Sequence, residues 1–267
     1  SSDLSDDVIK CLKKIAKNSG VKVFTDSHVK QINIKNDGFD LLVKGNNILK
    51  AKNILICTGG HPSGRRLAKS LGHSIIQPVP SLFSFSTSEK YLKSCSGITL
   101  DVQIKLTVNK NKYVESGSIL ITHKGFSGPV ILRLSAISAR KLHANKYIGE
   151  LRINWLCMSE SDVRSKIESY KLENGRKIVI NNKPFHKLPK SLWKAILLSI
   201  NINCQLKWAE LSKFEKESLV KSLTMQNYSI KSRGPYGEEF VTAGGVSLEE
   251  INFKTMESKI CKGVFFA

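Results

Sequence analysis

The chain has 267 residues, 41% hydrophobic and 24% charged, the range of a globular protein with room for one large domain or several small ones. No apolar run reaches the roughly 18–20 residues of a membrane-spanning helix, so no membrane partner is expected. Lysines and arginines outnumber acids 42 to 22, a formal charge of +20 that would attract nucleic acid, anionic membrane or polyanionic substrates. The lysines run from Lys10 to Lys262, mostly as singles, without an RGG run, an RNP-type aromatic motif or a Cys/His finger. Lys, Asn and Ile are abundant together, which reads as compositional drift, and a nucleic-acid partner is not expected.

The six cysteines stand far apart, with no CxxC pair and no histidine at zinc spacing. They read as reduced, mostly buried thiols of a cytoplasmic protein, and no metal site is expected. The opening SSDLSDDV is acidic and polar, unlike a signal or transit peptide, and its missing initiator Met reads as a start in mid-gene.

In chain order, Ser2–Asn18 predicts a helix with acids in its first turn, lysines in its last, and Leu4, Val8, Leu12 and Ile15 on one stripe. Gly20 ends it in the C′ manner. Short strands follow at Val21–Phe24, Val29–Ile34 and Phe39–Val43, the last two joined by Asn36-Asp37-Gly38. Ile54–Cys57 is continuously apolar, as in a strand covered on both faces, and leads into Thr58-Gly59-Gly60. A helix is predicted from Gly64 to Leu71. The segment Gln77-Pro-Val-Pro80 marks a change of element. The pattern is then β-like at Leu82–Phe85, Ile98–Leu106 and Ser118–Ile121, with a hairpin turn at Asn109–Asn111. A helix from Gly128 to His143 has Ser127 as the expected N-cap and Pro129 at N1. Leu151–Leu156 reads as a strand. Helices are predicted at Ser161–Tyr170, Ser191–Asn201 and Ser212–Leu223, each opening on a serine cap, with Trp193 and Leu197 sharing a face. Strand patterns return at Asn227–Lys231 and Glu239–Thr242, then come Ala243-Gly-Gly-Val246 and a final apolar run, Gly263-Val-Phe-Phe-Ala267.

No single motif decides a function. Thr58-Gly59-Gly60 fits a ligand-contacting turn at the carboxyl edge of a parallel sheet, or a plain tight turn that uses glycine for positive φ. Gly244-Gly245 carries the same two readings. His123 reads equally as a site residue or as a structural histidine bonded to a carbonyl. Arg65 and Arg66 read as phosphate ligands or as solvated side chains. His28, His73, His143 and His186 have no motif around them.

The order of the pieces says more. A helix, a small meander and an apolar strand ending TGG resemble the second half of FAD-binding two-dinucleotide folds. The segments ILICTGGHPSGRRLAKSLGHSI, SILITHKGFSGPVILRLS and FVTAGGVSLEEINFKTMESKICKGVFFA are similar to the YhiN-like (BaiN-like, aminoacetone-oxidase-like) flavoprotein family, in order and across essentially the whole chain. The resemblance implies an α/β fold in three parts. These are a discontinuous Rossmann-like FAD domain (about 1–77 and 242–267), an inserted β-rich domain (78–156 with 224–241) and a helical subdomain (157–223). It implies an FAD-dependent oxidoreductase, with NAD(P)H as reductant and an unidentified small-molecule substrate. Val29, Thr58, Gly59, Gly60, Gly244 and Gly245 would meet the cofactor, His123 and Ser127 would face the substrate, and His123 and Thr242 are the candidate catalytic residues. The family's GxGxxG fingerprint and its glycine-rich C-terminal segment have no counterpart here, so the sequence is expected to be an internal fragment, inactive on its own. Two alternatives stay open: a basic nucleic-acid-binding protein on a flavoprotein-derived scaffold, and an inactive truncated product.

Overall fold

A computed structural model describes residues 3–234 and 241–267. The chain forms two compact units, residues 1–76 with 245–267 and residues 77–244.

The first unit opens with helix α1 (Asp3–Asn18), ended by Gly20 at φ +75°. The apolar stripe of Val8, Leu12 and Ile15 is exposed. Residues 21–24 carry the β-prone pattern expected of a strand but pair with no neighbour among the described residues, because propensity without a partner makes no ladder. Strands β1 (Val29–Lys35), β2 (Gly38–Val43) and β3 (Ile48–Ala51) form the antiparallel meander. Strand β4 (Ile54–Ile56) follows. Its Ile54 and Ile56 are buried but Leu55 is 60% exposed, so one face is covered where two were expected. Helix α2 (Pro62–Ser70) begins two residues before the expected Gly64, because Pro62 fits the first turn and His61 Nδ1 accepts the Ser63 N–H.

Strand β5 (Ile75–Ser81) contains both prolines of QPVP, so they lie inside an element that they were expected to separate. Strand β6 (Phe85–Thr87) starts three residues later than expected, after Leu82 turns the chain at φ +55°. Strands β7 (Thr99–Val108) and β8 (Asn111–Thr122) form a long hairpin turned at Asn109, φ +52°. Strand β9 (Gly125–Ser127) leads to helices α3 (Pro129–Ile137) and α4 (Ala139–Ala144). One helix was expected there. It breaks at Ser138, whose hydroxyl donates to the Leu134 carbonyl, a back-bond that bends helices. Gly128, at φ +93°, holds the N-cap position assigned to Ser127, which belongs to β9.

After strand β10 (Gly149–Asn154) come helices α5 (Glu160–Asn174), α6 (Lys190–Ser199) and α7 (Lys213–Thr224). Ser159 caps α5 in place of Ser161, and α6 follows Pro189 with no side-chain cap where Ser191 was expected. The Ser212–Glu215 capping box of α7 is formed as expected. Strands β11 (Gln226–Arg233) and β12 (Val241–Val246) complete this region. Of the expected strand at Glu239–Thr242, residues 239 and 240 lie outside the described residues. β12 pairs with β5 in a two-stranded ribbon, an arrangement that tolerates proline because few ladder N–H groups are needed.

Six strands close a barrel in the order β10-β11-β6-β9-β8-β7. Alternation sends Val102, Ile104, Leu106 and Val108 of β7 inward, against Leu151, Ile153, Tyr228 and Ile230. The helices share this core: Trp193 and Trp208 stack with ring centroids 6.3 Å apart, and each indole N–H reaches a backbone carbonyl 3.0 Å away.

The chain ends in strands β13 (Ile251–Asn252), β14 (Glu257–Ser258) and β15 (Val264–Phe266), ordered β13-β14-β15-β4, with β15 parallel to β4. The first unit's core gathers Ile32, Phe39, Ile54, Ile56, Leu67 and Val264. His73 is buried beside it, with Nδ1 3.0 Å from a Glu250 carboxylate oxygen. Four cysteines (Cys11, Cys57, Cys157 and Cys204) are exposed and two are buried, against the expectation of mostly buried thiols. No described helix is long and apolar enough to cross a membrane.

Candidate functional site

The β8–β9 hairpin turns on His123 and Lys124, with Thr122 paired to Gly125 and Leu120 to Ser127. Gly125 has φ +150°, and a Cβ there would collide with the Phe85 carbonyl oxygen, so only glycine lets β9 lie this close to β6. The tight hairpin lifts His123 to the rim of a cavity of about 500 Å³, within the usual size range of small-molecule sites. Its wall carries Ser84, Ser86, Ser96, Thr122, His123 and Ser127, over a floor of Phe85, Leu120 and Ile121. Ser84 Oγ donates to Ser127 Oγ at 2.8 Å, and Ser96 Oγ lies 3.0 Å from His123 Nδ1. The imidazole therefore meets a hydroxyl, not the backbone carbonyl of the structural reading. If the Ser96 hydroxyl donates, Nδ1 is unprotonated and the neutral ring carries its proton on Nε2. The cavity thus offers several hydroxyl groups for a carbonyl or amide edge, and one imidazole for proton transfer.

The glycine turns stand elsewhere. Strand β4 runs into Cys57-Thr58-Gly59-Gly60, which is exposed, and Gly59 sits at φ +53° with open space where a Cβ would stand. Arg65 Nη1 donates to the Gly60 carbonyl at 2.7 Å, so this guanidinium braces the turn. Arg66 lies 3.3 Å from His28 Nε2. Gly64 packs against the Thr58 side chain, where a Cβ would clash with the hydroxyl. Val29 is half-buried at the start of β1, opposite Val43. Thr242 is exposed on β12, and Gly244 and Gly245 follow it at φ +137° and +120°. Of the expected residues, the structure brings His123 and Ser127 to one cavity, and Thr58, Gly59 and Gly60 to one turn.

Residues 79–241 match the family model described as HI0933-like protein barrel and H2TH domain. The chain belongs to the HI0933-like family. This is the YhiN-like and BaiN-like group that the motifs resemble, and all six strands of the closed barrel lie within the matched residues. Three curated relatives align along it. One is a ribosomal RNA dihydrouridine synthase of Haemophilus influenzae, 27% identical over 98% of this chain and 65% of that protein. Another is a 3-dehydro-bile acid delta(4,6)-reductase of Clostridium scindens, 24% identical over 99% of this chain and 66% of that protein. The third, a ribosomal RNA dihydrouridine synthase of Escherichia coli, is 22% identical over 86% of this chain and 56% of that protein. The chain therefore spans just under two thirds of the length of the first two.

Sequence reasoning missed three serines of the HI0933-like cavity. Ser84 and Ser86 alternate with buried Phe83 and Phe85, a period-two signal that could have placed both on one face. Ser96 follows a 3-10 turn and carries no local signal. The His73–Glu250 pair was missed as well, its partners lying 177 positions apart. Hydrogen bonds from Ser74 and His73 hold the Glu250 carboxyl below its usual range against the opposing effect of desolvation.

Proposed function

We propose that the chain is the barrel-bearing part of an FAD-dependent oxidoreductase that saturates a carbon–carbon double bond conjugated to a carbonyl, with uracil in ribosomal RNA as its substrate. The observation that carries this reading is the hydroxyl-lined cavity with His123 at its rim. The relatives' names add the chemistry. Dihydrouridine and a reduced 3-oxo steroid both arise by hydride addition to the β carbon and proton addition to the α carbon of a conjugated carbonyl system. The charge of +20 favours the RNA substrate over a free steroid acid.

The chain's own residues fit the cofactor. Thr58-Gly59-Gly60 follows a parallel strand at its carboxyl end, where α/β sheets meet dinucleotides, and its open side admits close backbone approach. Thr58, Gly59, Gly60 and Val29 would hold FAD, with Gly244 and Gly245 offering a second open stretch of backbone. Bound flavin, once reduced by NAD(P)H, would supply the hydride. Ser84 and Ser127 would hydrogen-bond the substrate carbonyl. Ser96 Oγ would accept the Nδ1–H of the protonated His123 ring, whose Nε2–H would pass to the α carbon and leave neutral imidazole.

The test is His123→Asn in the complete flavoprotein, assayed by dihydrouridine formed in ribosomal RNA. We expect kcat to fall about 10²–10⁴-fold, the usual worth of a positioned general acid, with the visible flavin spectrum unchanged. Undiminished turnover would remove His123 from the chemistry. Turnover of a free enone with none on RNA would favour the small-molecule reading that the bile-acid relative represents.

A further inference from the structure

The excess of positive charge is spread along the sequence, with long acid-free stretches at 41–88, 116–149 and 174–209, and the last of these is the densest in cations. From position 174 to 209 the chain has seven lysines and arginines and no carboxylate. On α5 and α7 acids stand among the cations: Arg164 donates to both oxygens of Glu217 at 2.8 and 2.9 Å, and Lys216 pairs with Glu168. Within the helical region, α5 and α7 carry acids beside their cations, whereas the loop leading into α6 and α6 itself carry cations alone.

The fold gathers cations into one edge around the loop leading into α6. Lys183, Lys190 and Lys194 line a cleft of about 430 Å³ together with Asn181 and Ser191. The same loop borders a second cleft of about 650 Å³, where Lys166, His186 and Lys187 face one acid, Asp101. None of these lysines forms an ion pair among the described residues. Lys183 is the half-buried one. Its ammonium donates to the Phe185 and His186 carbonyls at 3.0 Å each, which folds the loop and presents Lys187. Burial, with the Lys190 ammonium nearby, pushes Lys183 below the usual lysine range, a repulsion that a bound anion would relieve.

We propose that this edge, centred on Lys187, Lys190 and Lys194, is the surface on which the protein grips the phosphate backbone of its RNA substrate. The inference rests on the RNA reading above. Phosphate contacts of this kind position a nucleic acid without reading its sequence, which suits point-charge lysines on α6 and its leading loop better than a base-specific pocket. An anionic bilayer is the poorer fit. Leu192, Trp193, Ile196 and Leu197 of α6 are turned into the core, and Leu198 is the one exposed apolar side chain left on that helix to insert.

The experiment compares the full-length protein with two triple variants, K187A/K190A/K194A on the edge and K110A/K112A/K141A (the barrel variant) on exposed positions of the β7–β8 hairpin and α4, which removes the same charge. Lys183 is left intact because it braces the loop. Binding of a fluorescein-labelled ribosomal RNA hairpin is measured by anisotropy between 50 and about 300 mM salt, a window in which phosphate contacts are strongly salt-dependent. We expect the edge variant to bind at least about tenfold more weakly near 100 mM salt, with its log–log salt slope shallower by about 2–3. The barrel variant should stay within about twofold of the parent, as expected when exposed lysines make no phosphate contact. Equal weakening in both variants, or no weakening on the edge, overturns the proposal. So does loss of binding to phosphatidylserine vesicles with RNA affinity intact, which would make the edge a membrane surface. The two readings fail separately. A yellow, uracil-reducing enzyme indifferent to the edge variant sinks only the edge, whereas edge-dependent RNA binding by a colourless protein sinks only the reductase.

Discussion

Gly125 sits where β9 crosses close to β6, and its missing side chain decides how near the two backbones come. Its φ of +150° lies in the region that favours glycine, and an added Cβ would meet the Phe85 carbonyl oxygen with no flexible atom to yield. Gly125→Ala is expected to cost about 3 kcal/mol, since backbone strain and overpacking act together there. Urea unfolding checks this. A midpoint shift below that of an ordinary surface substitution would mean that the strands separate freely. The same residue sets the His123 turn, so the variant should also disturb the cavity. The THKGFSGP segment was singled out in the sequence only through its resemblance to the flavoprotein family, and the structure brings its His123 and Ser127 to one cavity. The Ser96 partner that orients His123 was not legible there, because a hydrogen bond across 27 positions leaves no periodic trace.

Among the elements, α5 and α7 are tied by the two hydrogen bonds between Arg164 and Glu217. The guanidinium holds the Glu217 carboxyl below its ordinary value of 4.5, against the opposing effect of desolvation. The Ser212 capping box lowers Glu215 in the same direction. A carboxyl with a depressed folded pKa contributes stability that is fully present above its unfolded pKa and is lost as pH falls through the folded one. Stability should therefore decline as pH drops below about 4.5, and Glu217→Gln should flatten part of that decline. Chemical unfolding across pH 3–6, the range over which a carboxylate of this kind titrates, reads it, and an unchanged slope in Glu217→Gln would remove the pair from the acid response. Helix existence was well signalled here by amphipathic spacing. Helix starts were less so, because Ser159 and Pro189 outcompeted the serines two residues further on.

For the whole molecule, the two units carry different halves of the proposed chemistry: the glycine turn after β4 in one, the His123 cavity in the other. Their combination predicts that the protein expressed from the complete reading frame is yellow after desalting, with flavin absorption bands. A colourless protein that stays colourless with added FAD would end the oxidoreductase reading and leave the basic edge as the lead. The charge of +20 also changes meaning at this scale. Lys183, Lys190 and Lys194, spaced out along the chain, are brought by the fold to one cleft.

By itself the sequence determined the family motifs, the alternating strands of the barrel, the amphipathic helices and the glycines that turns require, because each rests on spacing within a few residues. It also carried the wrong expectation of a strand at 21–24, where local propensity had no partner to pair with. Only the tertiary structure decided that six strands close on one another, that Ser84, Ser86 and Ser96 join His123 around one cavity, and that His73 finds Glu250. Those outcomes depend on contacts between residues far apart in the chain, and their free energy comes from burying a shared core that no local window contains.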